Sequence, residues 1–262
     1  EISFPKNAYQ GDYVTDIAKQ IDTELSEQLF IKDKTTLNEI LLDSETDGEK
    51  LLDKLIYQTK KILGAEQFSK LLNKALDNVL SDIKADLLEF GVEPQLWYSE
   101  ASLNEKGAIE RTLSLLNEKN LLDIRDGATW FKATEYGDEK DRVVVRENGS
   151  TTYFASDIAY HLEKKRRGFD VLLDILGADH HGYIARVRAG LEAMGEPPAS
   201  LEVRLVQFVT LYRGREKVQM STRSGKYVTL RELRNEVGND AARFYYVSRS
   251  NEQHLDFDLE LA

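Results

Sequence analysis

The chain has 262 residues, 41% of them hydrophobic and 31% charged, which suits one large domain or a core domain carrying an insertion and excludes wholesale disorder. Thirty-five Lys plus Arg against 46 Asp plus Glu leave a formal charge of −11, which on its face disfavours a nucleic-acid partner. No run approaches the ~18 apolar residues needed to span a bilayer, so a soluble protein is expected.

The sequence contains no cysteine, which removes disulfide frameworks, thiolate metal sites and Cys nucleophiles and fits a cytoplasmic address. Residues 1–12 carry mixed charge and no apolar core of signal-peptide type. The chain has no initiator Met and stops at Leu261-Ala262 without a helix-ending Gly or Pro. An internal segment of a longer protein is expected.

From the N-terminus, residues 15–90 read as helix, interrupted by a loop near 43–48. Leu71, Leu72, Ala75, Leu76, Val79, Leu80, Ile83 and Leu87 recur at three- and four-residue steps and form one apolar stripe packed on neighbours. After Gly91 the pattern changes. Residues 109–122 are helical, and 128–132 and 142–146 are strands, with turns at Asp126-Gly127 and Glu147-Asn148-Gly149. Then strand 151–154, helix 157–167, apolar strand 171–176, helix 182–194 and strand 201–211 alternate. That order predicts an α/β fold, a doubly wound parallel sheet covered on both faces.

Ligands of open α/β sheets sit beyond the carboxyl ends of the strands, and three segments fall there. The first is Tyr153-Phe154-Ala155-Ser156-Asp157. Asp157 is expected in the first helical turn, ionised by the helix dipole and able to take a guanidinium or ammonium, with Tyr153 walling the pocket. The plainer alternative is that Ser156 and Asp157 cap a helix. The second is Gly177-Ala178-Asp179-His180-His181-Gly182. Gly177 admits close backbone approach, Asp179 can accept from ribose hydroxyls, and the histidines can donate to a phosphate or substrate. An Asp-His-His metal site needs further ligands, and the other histidines are His161 and His254. No protein-ligated metal is therefore expected. The third is Met220-Ser221-Thr222-Arg223-Ser224-Gly225-Lys226, a basic loop whose backbone N–H groups suit phosphate oxygens, or simply a solvated loop. No GxGxxG or Walker-type fingerprint occurs.

These segments in this order resemble the catalytic domain of the arginyl-tRNA synthetases, class I aminoacyl-tRNA synthetases. Further matching stretches are Tyr9-Gln10-Gly11-Asp12-Tyr13-Val14, Gly137-Asp138-Glu139-Lys140-Asp141-Arg142, Arg167-Gly168-Phe169-Asp170, Asp240-Ala241-Ala242-Arg243-Phe244 and Leu255-Asp256-Phe257-Asp258. The resemblance implies the second half of a Rossmann-like core with a mostly helical α+β insertion. Residues 1–20 would belong to the core, 21–150 to the insertion and 151–235 to the core's second half. Residues 236–262 would start a helical segment leading to an anticodon-binding domain.

The same resemblance assigns arginine binding to Tyr153, Asp157 and His181, and ATP binding to Gly177, Asp179, His180 and Lys226. It places Met220, Ser221, Thr222 and Arg223 in the catalytic loop called KMSKS, which stabilises the pyrophosphate leaving group. The implied partners are L-arginine, ATP with Mg²⁺ and tRNA(Arg), in a monomeric parent. Two departures follow. The loop reads Gln219-Met220-Ser221-Thr222-Arg223, so both motif lysines are missing, as in many members, and Arg223, Lys226 or a lysine elsewhere must supply the charge. No His-x-Gly-His motif occurs, so the isolated chain is expected to make no adenylate. A non-catalytic tRNA-binding or regulatory relative is the alternative; a phosphoesterase built on Asp-His-His would need Asp-rich motifs that are not recognisable.

The net charge averages two surfaces. Residues 203–249 hold ten Lys or Arg and four Asp or Glu, a local +6, which leaves −17 for the rest. Only the basic stretch is expected to bear on phosphate contacts.

Overall fold

The computed structural model describes residues 11–25, 48–220 and 227–262, which form two compact units. One comprises the described parts of Glu1–Glu93 with Leu211–Phe244 and Asp258–Ala262; the other comprises Pro94–Thr210 and Tyr245–Phe257.

In the first unit, helices α1 (Asp12–Leu25) and α2 (Gly48–Glu89) carry the helical pattern. Gly48, assigned to the loop, opens α2, and residues 43–47 of that loop lie outside the described residues. Gly64 breaks α2 with φ 73° and ψ 168°, a backbone setting that glycine adopts without a Cβ clash. The apolar stripe differs from the expectation of full packing: Leu72, Leu76, Val79 and Ile83 are exposed. The end of α2 is held by side chains from distant sequence. Asn239 donates to the Glu89 carbonyl (2.6 Å) and Arg243 to that of Phe90 (2.8 Å), satisfying acceptors that a helix end leaves free. Arg231 and Arg234 reach Asp82, Asp86 and Glu89 from α7 (Leu230–Val237) at 2.6–3.0 Å. Thr229 and Glu232 form a capping box that starts α7.

In the second unit, α3 (Ala101–Glu105) and α4 (Ala108–Glu118) precede an antiparallel meander of β1 (Leu122–Arg125), β2 (Ala128–Phe131) and β3 (Arg142–Val145). The helix expected to 122 thus stops four residues earlier, and Leu122 begins a strand. Asp126 and Gly127 both take positive φ (49° and 75°), the geometry of a tight hairpin turn between twisted strands. Gly137-Asp138-Glu139-Lys140-Asp141-Arg142 proves to be scaffold. The Asp138 side chain, 1% exposed, takes both a Nε and a terminal nitrogen of Arg142 at 2.6 Å, and Arg142 holds its carboxyl below the usual range.

Helix α5 (Tyr153–Arg166), strand β4 (Leu172–Gly177), helix α6 (Ile184–Ala193) and strand β5 (Leu201–Val206) follow. Strands β4 and β5 pair in parallel from Leu172↔Leu201 to Gly177↔Val206. Leu172, Val187, Leu191 and Leu201 form the core beneath them. A larger core joins Ile109, Leu116, Phe131 and Val144 to Phe154 and Ile158 of α5. Each of these large side chains contributes about 1.5–3 kcal/mol by burial. Helix α6 approaches α5 at Gly190, where a Cβ would stand 2.7 Å from Ile158 Cγ1.

Three expectations need correction. Residues 153–154 are helix, not strand: Thr152 caps α5 by accepting from the Ala155 N–H (3.4 Å), and its own N–H and hydroxyl bond the carbonyls of Val144 and Val143. Cover on both faces of the sheet is not seen among the described residues: Leu172 packs in the core on one face, while Leu173 and Ile175 on the other are exposed. The long strand 201–211 divides at Gln207-Phe208 into β5 and β6 (Val209–Arg213), where Gln207 turns its N–H to the Asn251 carbonyl. β6 joins a third sheet in the order β7 (Glu216–Lys217), β6, β8 (Leu255–Asp258), and α8 (Asn239–Val247) lies between α7 and β8 in sequence.

Candidate functional site

The cap at Thr152 sets the phase of α5. Phe154, Ala155, Ile158 and Ala159 turn into the core, while Ser156, Asp157 and Tyr160 are left partly accessible. With Tyr98, Glu100 and Leu103 these three line a cleft of about 250 Å³. Aromatic walls come from Tyr98 and Tyr160, whose rings lie 4.8 Å apart, and Glu100 and Asp157 supply two carboxylates.

Asp157 is the fifth residue of α5, in its second turn, rather than in the first turn where the dipole acts most strongly. Its ionisation is correspondingly not favoured as expected. Burial pushes the carboxyl up to about 6, helped by the neighbouring carboxylates of Glu100 and Asp174 and opposed by His161 and Lys164. A carboxyl so placed gains most from a cationic ligand that can enter the cleft. Tyr153 stands four residues earlier on the helix but is 79% exposed and does not line the cleft.

Below Asp157 lies a cluster absent from the sequence reading. His161, 4% exposed, places Nδ1 2.7 Å from the Asp157 carbonyl oxygen and Nε2 2.6 Å from Asp174 Oδ2 on β4. Lys164 donates to the other Asp174 oxygen at 2.8 Å. Asp174 is held at about 2: burial works against its charge, and the hydrogen bonds from His161 and Lys164 outweigh it. The signal was an aspartate inside an otherwise apolar strand, which needs a buried cation to answer it.

At the carboxyl end of β4, residues 178–183 form a 3₁₀ turn that carries Asp179, His180 and His181, all exposed. Asp179 folds back over Gly177, where a Cβ would meet its Oδ1 at 2.5 Å, and its carboxylate is 3.8 Å from His180 Nε2. Gly177, Asp179, His180 and His181 are therefore brought together in one turn. Among the described residues no group of three or more His, Asp or Glu side chains is arranged to hold a metal ion. Met220 is exposed and belongs to the first unit, while Ser221, Thr222, Arg223 and Lys226 lie outside the described residues.

A family model for the catalytic domain of class I (R) tRNA synthetases matches residues 26–255. The chain belongs to this family. An arginine–tRNA ligase of Hydrogenovibrio crunogenus is 54% identical over 270 residues, covering 100% of this chain and 46% of that protein. One of Nitrosomonas europaea is 54% identical over 264 residues, covering 99% and 45%. The chain thus spans a little under half the length of these curated relatives. Among solved structures, one described as an arginyl-tRNA synthetase of Campylobacter jejuni matches with TM-score 0.70 and 29% identity over 94% of this chain and 53% of that one. The arginyl-tRNA synthetase of Thermus thermophilus shares the fold with TM-score 0.62 at 17% identity, covering 97% and 52%. Membership in this family agrees with the predicted Rossmann-like α/β class, here represented by the β4–α6–β5 unit.

Proposed function

We propose that the protein carrying this chain is an arginine–tRNA ligase and that the cleft at Asp157 receives the arginine side chain. A carboxylate oxygen of arginine attacks the α-phosphorus of ATP, and the bond to pyrophosphate breaks to give arginyl-adenylate. A ribose hydroxyl at the tRNA 3′ end then attacks the activated carbonyl, and AMP leaves. The observation that carries the reading is Asp157 itself: a half-buried carboxyl in a cleft it lines with Glu100 and two tyrosines, in a member of this family. Such chemistry depends on positioning and charge stabilisation more than on general acids.

His181 adds an arginine contact in this proposal, and Tyr153, which stands outside the cleft, meets the part of the amino acid that projects from it. Gly177 and Asp179 meet the ribose, and His180 meets the phosphates. Met220, Ser221, Thr222 and Arg223, with Lys226, steady the departing pyrophosphate, and Mg²⁺ accompanies ATP, held mainly by its phosphates. The turn at the carboxyl end of β4 supports the nucleotide assignment, because the backbone there opens where ligands of such sheets bind. Residues 21–150 are assigned to an insertion within the catalytic core. No helix among the described residues is long and apolar enough to cross a membrane. The cysteine-free sequence supports a cytoplasmic place of work.

ATP–pyrophosphate exchange by the full-length protein tests the assignment. Asp157→Ala should raise the KM for arginine about 100-fold, equivalent to ~2.7 kcal/mol of lost charge pairing, with little change in the KM for ATP. Equal effects on both substrates would remove Asp157 from the amino-acid site.

A further inference from the structure

The His161–Asp174–Lys164 cluster does not touch the cleft, yet it is joined to two of its walls. His161 Nδ1 meets the main-chain carbonyl of Asp157 at 2.7 Å, the residue that supplies the cleft's buried carboxylate. Lys164 Nζ lies 4.6 Å from the ring centroid of Tyr160, which packs on Tyr98 in the cleft lining. Both connections end on one anchor, because Asp174 takes His161 on one oxygen and Lys164 on the other.

The arrangement is closed. Both ring nitrogens of His161 lie within hydrogen-bond distance of an oxygen, the Asp157 carbonyl on one side and the Asp174 carboxylate on the other. The His161 ring is buried, and the Asp174 and Lys164 side chains are 14% and 17% exposed, so water competes weakly for these bonds. Burying the Lys164 ammonium and the Asp174 carboxylate is costly unless they are paired, and here they are paired at 2.8 Å. Ordinary core packing against β4 would need none of these groups.

We propose that His161, Lys164 and Asp174 are positioning residues for the arginine cleft: they pin the second turn of α5 to β4 and orient Asp157 and Tyr160. The proposal rests on the reading of Asp157 as the arginine-binding group. The three residues set the affinity for the amino acid and leave the nucleotide untouched.

Exchange kinetics of the full-length protein, with a double-mutant cycle, give the test. His161→Ala should raise the KM for arginine about tenfold, with the KM for ATP unchanged, and Lys164→Met about threefold, while Lys164→Arg keeps the wild-type value. In an Asp157→Asn background, His161→Ala should add almost nothing to the arginine KM, because its effect passes through Asp157. A purely structural role predicts additive losses, a fall in kcat or both KM values moving together, and any of these overturns the proposal. Lys164→Met carries the same test if His161→Ala folds poorly, since it removes no core side chain. If Asp157→Asn raises the arginine KM while His161→Ala and Lys164→Met leave it unchanged, the positioning role fails alone. If Asp157→Asn itself has no effect, the arginine site is wrong, and the positioning role falls with it.

Discussion

At Asp157 and Asp174, two carboxyls are driven in opposite directions by their neighbours. Burial raises Asp157 to about 6, whereas the hydrogen bonds from His161 and Lys164 overcome burial and hold Asp174 at about 2. Guanidinium pairs with the ionised form of Asp157, so arginine binding must expel a proton wherever that form is scarce. The arginine dissociation constant should therefore be flat above pH ~6.5 and rise up to about tenfold per pH unit below 6, while nucleotide affinity changes little. Calorimetric titration at several pH values checks this, and a flat profile to pH 5 would contradict the burial of the carboxyl. Asp174 has the opposite linkage. Its folded value lies below the ordinary 3.8, so its stabilising contribution is present above pH ~4 and is lost as pH falls towards 2. Asp174→Asn should be less stable than wild type in urea unfolding at pH 6, with the difference shrinking between pH 4 and pH 2.

Among the elements, α5 shows how a local signal was overruled. Thr151-Thr152-Tyr153-Phe154 is β-branched and aromatic, a composition that suits a strand. Thr152 nevertheless acts as a cap, and the apolar pairs 154/155 and 158/159 repeat at helical spacing against the core. Moving the start of the helix back from 157 to 153 places Asp157 in the second turn, and this changes its electrostatics. Turns were easier to read: Asp126-Gly127 requires two positive φ angles, and few residue pairs other than Asn-Gly or Asp-Gly tolerate them. Gly190 brings α6 close against Ile158 of α5. Gly190→Ala should gain helix propensity but force Ile158 aside, for a net loss of about 1–2 kcal/mol in chemical denaturation. A stabilising result would show that α6 can shift freely.

For the whole molecule, the charge arithmetic acquires a different meaning. The basic stretch 203–249 looked like a phosphate-facing surface, yet four of its arginines are engaged within the protein. Arg213 pairs with Glu236, Arg231 and Arg234 with the acidic end of α2, and Arg243 with the Phe90 carbonyl. Part of the acidity of the helical region is thus answered by the chain's own basic segment, and the count of Lys and Arg overstates what remains for a ligand. The motif stretches divide in the same way: Gly137 to Arg142 builds the scaffold through Asp138 and Arg142, whereas the stretches at 153–157 and 177–183 line accessible ground.

By itself the sequence determined the family, the order of the motifs, the α/β class and the position of Asp157 as a candidate cation binder, because these depend on residue identity and spacing along the chain. The tertiary structure alone decided that Asp157 is half-buried in a cleft it lines with Glu100, that His161 and Lys164 converge on Asp174, and that Tyr153 stands outside the cleft. The reason is physical. Desolvation and charge pairing are set by neighbours in space, and Asp174 lies thirteen residues beyond His161, across a helix end and on another element. No local pattern encodes that meeting; packing α5 against β4 brings it about.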